Sequence, residues 1–333
     1  MKAITHALAD AGFRDAMAYG LDSTPTPESA RLAAAVRRAF GPTALAVIHY
    51  GSHVQRSGAR PESAHDFFVV VDSYRDAYTA LVATTGLHVR PSTAIALAHV
   101  LPPNVVAITV PAGATQRQAK CAVITIEHLR RAAAGRVKDH FTRGRLFQHV
   151  QLLWTRDPES RRAVRHALVE TRARTFEWAR PYLPEEFDAE KYSQVLLETS
   201  FAAEVRPEGN ERITQLHAAQ RETLHRVYDL LLQKLAQQRI VVRDGIVYRQ
   251  TRSPGPTTRL AVRLFFTRSK ARATLRWFKH VVLYEDWLEY IVQKIARRTG
   301  VSVELTARER RWPLIFLWPK AIQFLRTRPQ RRR

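Results

Sequence analysis

Ala44-Leu45-Ala46-Val47-Ile48-His49-Tyr50-Gly51-Ser52 and, after a polar loop, Asp66-Phe67-Phe68-Val69-Val70-Val71-Asp72 decide how this chain folds. The apolar run 44–50 is short and ends in Gly-Ser, which predicts a strand entering a turn. Residues 53–65 are rich in Ser, Gly, Arg and Pro and read as a loop. Asp66 then opens a second apolar strand over 67–71. Before the first strand, Leu32, Ala35, Val36, Ala39 and Phe40 recur at helical spacing from Glu28 onward, and Gly41-Pro42 stops that helix. Residues 1–40 as a whole read as two helical pieces broken near Thr24-Pro25-Thr26-Pro27. Beyond the second strand the pattern predicts a helix over 72–84 and strands over 105–110 and 122–126. Strands mixed with helices predict an α+β domain over 1–127.

From Glu127 to about Gln238 the periodicity is nearly all helical, as in Leu224, Val227, Leu230, Leu231 and Leu235. Asp244-Gly245 then separates two β-rich runs, a hairpin signal in which Gly supplies a positive φ. Helices followed by a hairpin predict a winged-helix-like domain over 128–252, with a helical bundle carrying an added hairpin as the alternative. Ser253-Pro254-Gly255-Pro256 reads as a linker to a basic, aromatic C-terminal segment over 259–333. No internal repeat is visible.

Composition bounds the partners. The 333 residues carry 53 Lys/Arg against 30 Asp/Glu, a formal net charge of +23. Such a chain seeks polyanions: nucleic acid, anionic lipid or a phosphorylated substrate. The charge is uneven, because residues 259–333 hold 19 Lys/Arg and 5 Asp/Glu, a net of +14, together with four of the six tryptophans. At 45% apolar residues the chain has enough to build a core, which argues against wholesale disorder. The single cysteine, Cys121, excludes an internal disulfide and reads as a small buried hydrophobe. The first twenty residues lack a continuous apolar core, so no secretory leader is expected. No apolar run approaches the ~18 residues of a membrane span.

The chemistry lies in the first two strands. A strand ending in Gly-Ser, followed by a carboxylate at the head of the next strand, is the geometry that polymerase-β-type nucleotidyltransferases need. Gly51 lets the backbone approach a triphosphate, and Ser52 with neighbouring amides binds phosphate oxygens. Asp66 would hold Mg²⁺ against those oxygens and stabilise the pyrophosphate leaving group. Such sites usually carry a second carboxylate two residues on, but position 68 is Phe, which shares a strand face with Asp66. Asp72 sits at even spacing but past the strand, and reads as the N-cap of the next helix. His53, His65 and His149 read as structural, since no Ser-His-Asp order or zinc spacing accompanies them.

Four blocks together resemble the mitochondrial-type phosphatidate cytidylyltransferases and their bacterial relatives. His49-Tyr50-Gly51-Ser52 with Asp66-Phe67-Phe68-Val69-Val70-Val71-Asp72 is similar to that family's Tyr-Gly-Ser-Gly and Asp-Phe-x-Phe-x-Val-Asp segments. Lys120-Cys121-Ala122-Val123-Ile124-Thr125 is similar to Lys-Tyr-Gly-Val-Ile-Ser, and Gly144-Arg145-Leu146 to the start of Gly-Arg-Leu-x-Lys-Pro. Ser200-Phe201-Ala202-Ala203-Glu204-Val205-Arg206 is similar to Ser-Tyr-x-Gly-Asp-x-Arg. The order and spacing agree across 45–230. The resemblance implies a nucleotidyltransferase domain followed by a winged-helix-like domain. It also implies an Mg²⁺-dependent reaction of CTP with phosphatidic acid to CDP-diacylglycerol and pyrophosphate. It places Asp66, Lys120 and Arg145 at the reaction, and Gly51, Ser52, Lys120, Glu204 and Arg206 on the nucleotide; an ordinary salt bridge is the other reading of Glu204 and Arg206. The departures are His53 for the family's Gly, Gln148-His149 for its Lys-Pro, and Ala203-Glu204 for its Gly-Asp.

A lipid acceptor gives the C-terminal segment a purpose. Arg310 and Arg311 precede Trp312, and Trp318 and Lys320 close a short apolar run, which suits attachment to an anionic membrane surface. The expected location is cytoplasmic, peripheral on the inner face of the membrane. Two rival functions stay open: a nucleotidyltransferase acting on RNA or another phosphorylated acceptor, and a catalytically decayed nucleic-acid or membrane-binding module.

Overall fold

A computed structural model of the chain describes residues 2–55, 57–58, 63–86, 91–112, 115–204 and 209–283, and the single positions 306 and 308. The N-terminal stretch forms three helices, α1 (Lys2–Ala9), α2 (Ala11–Met17) and α3 (Pro27–Phe40). The extra break falls at Asp10, whose side chain accepts from the Phe13 amide and caps α2. Thr26 caps α3 in the same way, and Pro27 sits at its first turn, where no amide hydrogen is needed.

Next come β1 (Ala44–Tyr50), a short α4 (Ser52–Gln55), β2 (His65–Val71), α5 (Tyr74–Thr85), α6 (Pro91–Val100), β3 (Asn104–Ala112) and β4 (Thr115–Thr125). After them follow α7 (Ile126–Ala133), α8 (Phe141–Leu146), β5 (Gln151–Thr155), α9 (Pro158–Ala173) and α10 (Thr175–Ala179). Five strands form one mixed sheet in the order β3-β4-β2-β1-β5. β2 and β4 are parallel, and the other pairs are antiparallel. β5 lies within the stretch read as helical, so the sheet takes its edge strand from beyond residue 127.

The sheet is covered on both faces, which is why β1 is buried along its whole length. Ile48, Phe68, Val70, Ala122 and Ile124 point into one core, packed with Leu146, Leu168, Leu196 and Tyr228 from the helical half. Val47, Phe67, Val69, Cys121 and Val123 point into the other, against Leu32, Val36, Tyr78 and Leu81 of α3 and α5. Cys121 is fully buried, as a small hydrophobe should be. The alternation has a direct consequence: Asp66 lies on the Phe68 side, facing the helical half.

That half continues with β6 (Glu186–Phe187), α11 (Ala189–Ala202), α12 (Asn210–Ala219), α13 (Arg221–Gln237), β7 (Val241–Asp244), β8 (Val247–Gln250) and α14 (Pro256–Leu283). A second sheet has the order β6-β8-β7. Gly245 turns the β7–β8 hairpin at φ +59 from the first of two loop positions, where a positive φ is required. The expected linker at 253–256 leads straight into α14, which is anchored by the buried Phe266 in the first core.

Asp72 does not cap α5. Ser73 does, accepting from the Asp76 amide at 3.1 Å while its own hydroxyl donates to the Asp76 carboxylate at 2.6 Å. Asp72 instead pairs with Arg156 at 2.6 Å, at the opposite end of β2 from Asp66.

Candidate functional site

Strand register builds the floor of the site. Asp66 pairs with Tyr50 on β1 and with Lys120 on β4, so Lys120, Asp66 and Tyr50 form one row across three strands. Lys120 is therefore interior to the sheet, because β3 and not β4 is the outer strand. The next row along the same face is Ala122, Phe68 and Ile48, all fully buried. On β1 and β2 the polar row is the last on this face before the strands end, with a hydrophobic wall behind it.

Gly51 closes over this row at φ +85, a conformation that side chains resist. A Cβ added there would lie 2.9 Å from Asp66 Oδ2. Glycine is required both by the backbone angle and by the carboxylate beneath it. Ser52 then starts α4, where the Gln55 amide donates to the Gly51 carbonyl at 3.0 Å.

The helical half supplies the other wall. Arg145, at the end of α8, donates to the Phe141 carbonyl at 3.1 Å and pairs with Glu204 at 2.9 Å. Its guanidinium carbon rides 3.8 Å from the centre of the Phe141 ring. Glu204 follows the C-terminus of α11, so the third and fourth sequence blocks meet here. The fourth block also meets the residue that precedes α8, where His140 Nε2 and Ser200 Oγ lie 2.9 Å apart. Gly144 permits that fit, since a Cβ there would lie 2.8 Å from the His140 ring. Arg206, the remaining residue of the fourth block assigned to the nucleotide, lies outside the described residues, as do Arg310, Arg311, Trp312, Trp318 and Lys320 of the expected membrane segment.

Electrostatics tie the pieces together. Burial pushes the Asp66 carboxyl above the usual range, while Lys120, then Arg145, then His53 pull it back. Burial works against the Arg145 charge, yet Glu204, with Tyr50 and Asp66, holds its pKa above the ordinary value. Burial, reinforced by Asp66, raises the Tyr50 phenol far out of reach of proton transfer at neutral pH.

The histidines form a pillar behind the site. His53 stacks on His65 at 3.7 Å between ring centres, and His65 stacks on His49 at 5.2 Å. His53 Nε2 lies 2.8 Å from Ser63 Oγ. Burial depresses His65 to about 4 and His49 to about 3, so both stay neutral. His149 lies 2.9 Å from Thr223 Oγ1.

Two functional features escaped the sequence reading. Gln148 joins three elements: Gln55 of α4 donates to it at 2.9 Å, Gln220 at 3.2 Å, and it donates to the Gly144 carbonyl at 2.7 Å. This amide relay fixes the Gly-Ser turn relative to the Arg145 helix. Its only sequence signal is the replacement of a basic residue of the similar family by Gln. The second feature is Arg276 of α14, whose guanidinium carbon lies 4.5 Å from the Phe141 ring centre. Nothing in its local sequence points there.

Among the described residues no group of three His, Cys, Asp or Glu side chains could hold a metal ion. The donor set on the row is one carboxylate, Asp66, beneath a glycine that leaves room beside it. That suits Mg²⁺, which takes one or two carboxylates and completes its shell with phosphate oxygens and water. It does not suit an all-protein metal cage. Neither the family models nor the curated proteins compared with this chain give a match.

Proposed function

We propose that the chain is a nucleotidyltransferase, most specifically a phosphatidate cytidylyltransferase acting at a membrane surface. One observation carries the reading: five segments, around Gly51, Asp66, Lys120, Arg145 and Glu204, converge on one partly buried carboxylate. In the reaction a phosphate oxygen of phosphatidic acid attacks the α-phosphorus of CTP. A new P–O bond forms, the bond from the α-phosphorus to the bridging oxygen breaks, and pyrophosphate leaves. The nucleophile is already anionic, so no general base is needed, and catalysis is positioning plus charge stabilisation.

Asp66, once ionised, is the residue that would hold Mg²⁺, and the ion would supply charge neutralisation at the triphosphate. Gly51 and Ser52 bring backbone amides toward the phosphates. Lys120, next to Asp66 in the row, and Arg145, across from it, offset phosphate charge. Glu204 positions Arg145. The preference for CTP rests on the sequence resemblance. The order β6-β8-β7, with α11 to α13 between the first strand and the hairpin, is the arrangement a winged-helix reading expects.

The lipid acceptor draws support from α14. This helix carries no acidic residue over 256–283. Leu260, Leu264 and Leu275 are 58%, 60% and 57% exposed, and their spacing places them on one stripe. Arg259, Arg263, Arg268 and Lys270 are exposed beside it. Exposed leucines flanked by cations suit the headgroup boundary of an anionic bilayer better than an RNA backbone. No described helix is long and apolar enough to cross a membrane. The C-terminal tryptophans would add to a peripheral attachment on the cytoplasmic face.

The test is one assay. The full chain, Mg²⁺, labelled CTP and phosphatidic-acid liposomes should yield labelled lipid, and Asp66→Ala should abolish it. CTP binding through Asp66 without labelled lipid would assign another acceptor, with RNA the first to try. No CTP binding would leave the decayed binding module.

A further inference from the structure

Phe68 stands where a second metal-binding carboxylate would face the site. It is fully buried and meets the Phe141 ring edge-on at 6.2 Å between centres. Phe141 in turn contacts two guanidinium groups, Arg145 at 3.8 Å and Arg276 at 4.5 Å. The position that would have recruited a cation therefore leads, through one aromatic contact, to two cations built into the chain.

The surroundings of Arg276 are short of negative charge. Among the described residues one acid, Asp139, lies beside Arg272, Arg276 and Lys279 of α14, and its Oδ2 accepts from Arg272 and from Arg276, each at 2.9 Å. Arg276 also donates to the Pro102 carbonyl at 2.9 Å. Lys279 donates to the Leu101 and Pro103 carbonyls, at 2.5 and 2.8 Å. His128, the other titratable ring beside this group, is kept neutral by burial. Glu204 is already committed to Arg145. Among the described residues two guanidinium groups, Arg272 and Arg276, share one carboxylate, which leaves one positive charge uncompensated in a largely buried region and is costly unless an anion completes the set. Arg276 is only 4% exposed, and its Nε–H has no acceptor among the described residues. Arg276 thus combines an unused donor with a shared carboxylate, and an oxyanion would satisfy both.

We propose that Arg276, together with Arg145, receives the phosphate monoester of the acceptor, taking the part that a second metal ion would play. The inference rests on the nucleotidyltransferase reading and adds to it a phosphate subsite supplied by α14. It makes that helix part of the site: the lipid-facing stripe and the phosphate-holding arginine then belong to one element. Arg276 is a binding residue for acceptor, and the donor triphosphate stays with Gly51, Ser52, Lys120 and Asp66.

The experiment uses the full chain and two probes, dihexanoyl phosphatidate and Mg²⁺–CTP, titrated calorimetrically. Arg276→Gln should weaken phosphatidate binding by about tenfold or more, the worth of a charge-assisted hydrogen bond. It should weaken Mg²⁺–CTP by clearly less than that, because Arg276 reaches the donor side only through the Phe141 ring it shares with Arg145. Arg276→Lys should recover part of the loss, and dihexanoyl phosphatidylcholine, a diester, should not compete. Unchanged phosphatidate binding in a folded Arg276→Gln overturns the proposal, and so does a loss confined to Mg²⁺–CTP, which would move Arg276 to the donor side. Should Arg276→Gln fail to fold, the wild-type protein answers alone. Inorganic phosphate must raise its melting temperature above that in chloride at equal ionic strength, and no rise refutes the subsite. Asp66→Asn separates the two readings: if it leaves Mg²⁺–CTP binding intact, the nucleotidyltransferase reading falls while the phosphate subsite is still judged by Arg276.

Discussion

Replacing Gly51 by alanine tests the roof of the site, and Gly86 supplies the control. Gly86 ends α5 at φ +63, and a Cβ there meets nothing within 4 Å. Gly86→Ala therefore isolates the backbone cost of an L-residue in the left-handed region, about 1–2 kcal/mol. Gly51→Ala carries a similar backbone cost and adds a 2.9 Å contact with Asp66 Oδ2. Relieving that contact turns the carboxylate away from Lys120 and Arg145, the charges that favour its ionised form. Overpacking of this kind adds about 1–3 kcal/mol. Urea unfolding at constant m measures both variants. The decisive measurement is the double-mutant cycle with Asp66→Ala, which leaves only the Asp66 Cβ at 3.4 Å. In that background the cost of Gly51→Ala should fall toward that of Gly86→Ala, a coupling of about 1 kcal/mol or more. Equal costs for the two glycine variants, with additivity in the cycle, would refute the close approach.

Three further outcomes follow from described contacts. Ser73→Ala should cost about 1 kcal/mol through loss of the α5 cap, whereas Asp72→Ala, removing an exposed ion pair, should cost less than about 0.5 kcal/mol; chemical denaturation ranks them. Lys279 is lowered by burial from 10.5 to about 7, so the unfolded chain binds that proton more tightly than the folded one. The penalty is full below pH 7, and stability should rise between about pH 7 and 10.5 with a slope approaching about 1.4 kcal/mol per pH unit; Lys279→Met should remove that rise in denaturation curves taken across the range. Tyr228→Phe deletes the donor to the Phe147 carbonyl at 2.8 Å in the core and should cost about 1–2 kcal/mol by the same assay.

The strands at 44–50 and 65–71 and the Gly-Ser turn were legible because hydrophobic runs and a glycine carry their own local physics. So was the hairpin at Asp244-Gly245. β5 was not, because Gln151-Leu152-Leu153-Trp154-Thr155 is five residues long and lies among helices; only pairing with β1 makes it a strand. The cap of α5 was misplaced by one residue although Ser73-x-x-Asp76 is itself a capping pattern. For the site, Asp66, Lys120, Arg145 and Glu204 were each picked out, but their meeting depends on register and on α8 facing α11. Asp66 and Lys120 are brought side by side by a parallel pairing that no local pattern encodes. Arg276 was invisible because its meaning lies in Asp139 and Phe141, more than a hundred residues earlier.

The late arrival of β5 also governs how the chain is made. On the ribosome, β1 emerges about a hundred residues before the strand that seals its outer edge. At about 5–20 residues per second, that leaves the nascent chain with an open, largely apolar edge for about 5–20 seconds. Such an edge is a template for pairing with other chains. Slow codons translated between the emergence of β1 and that of β5 would lengthen this window, whereas slow codons near the C-terminus would not, so translation speed in that interval should set how much of the protein reaches its folded state.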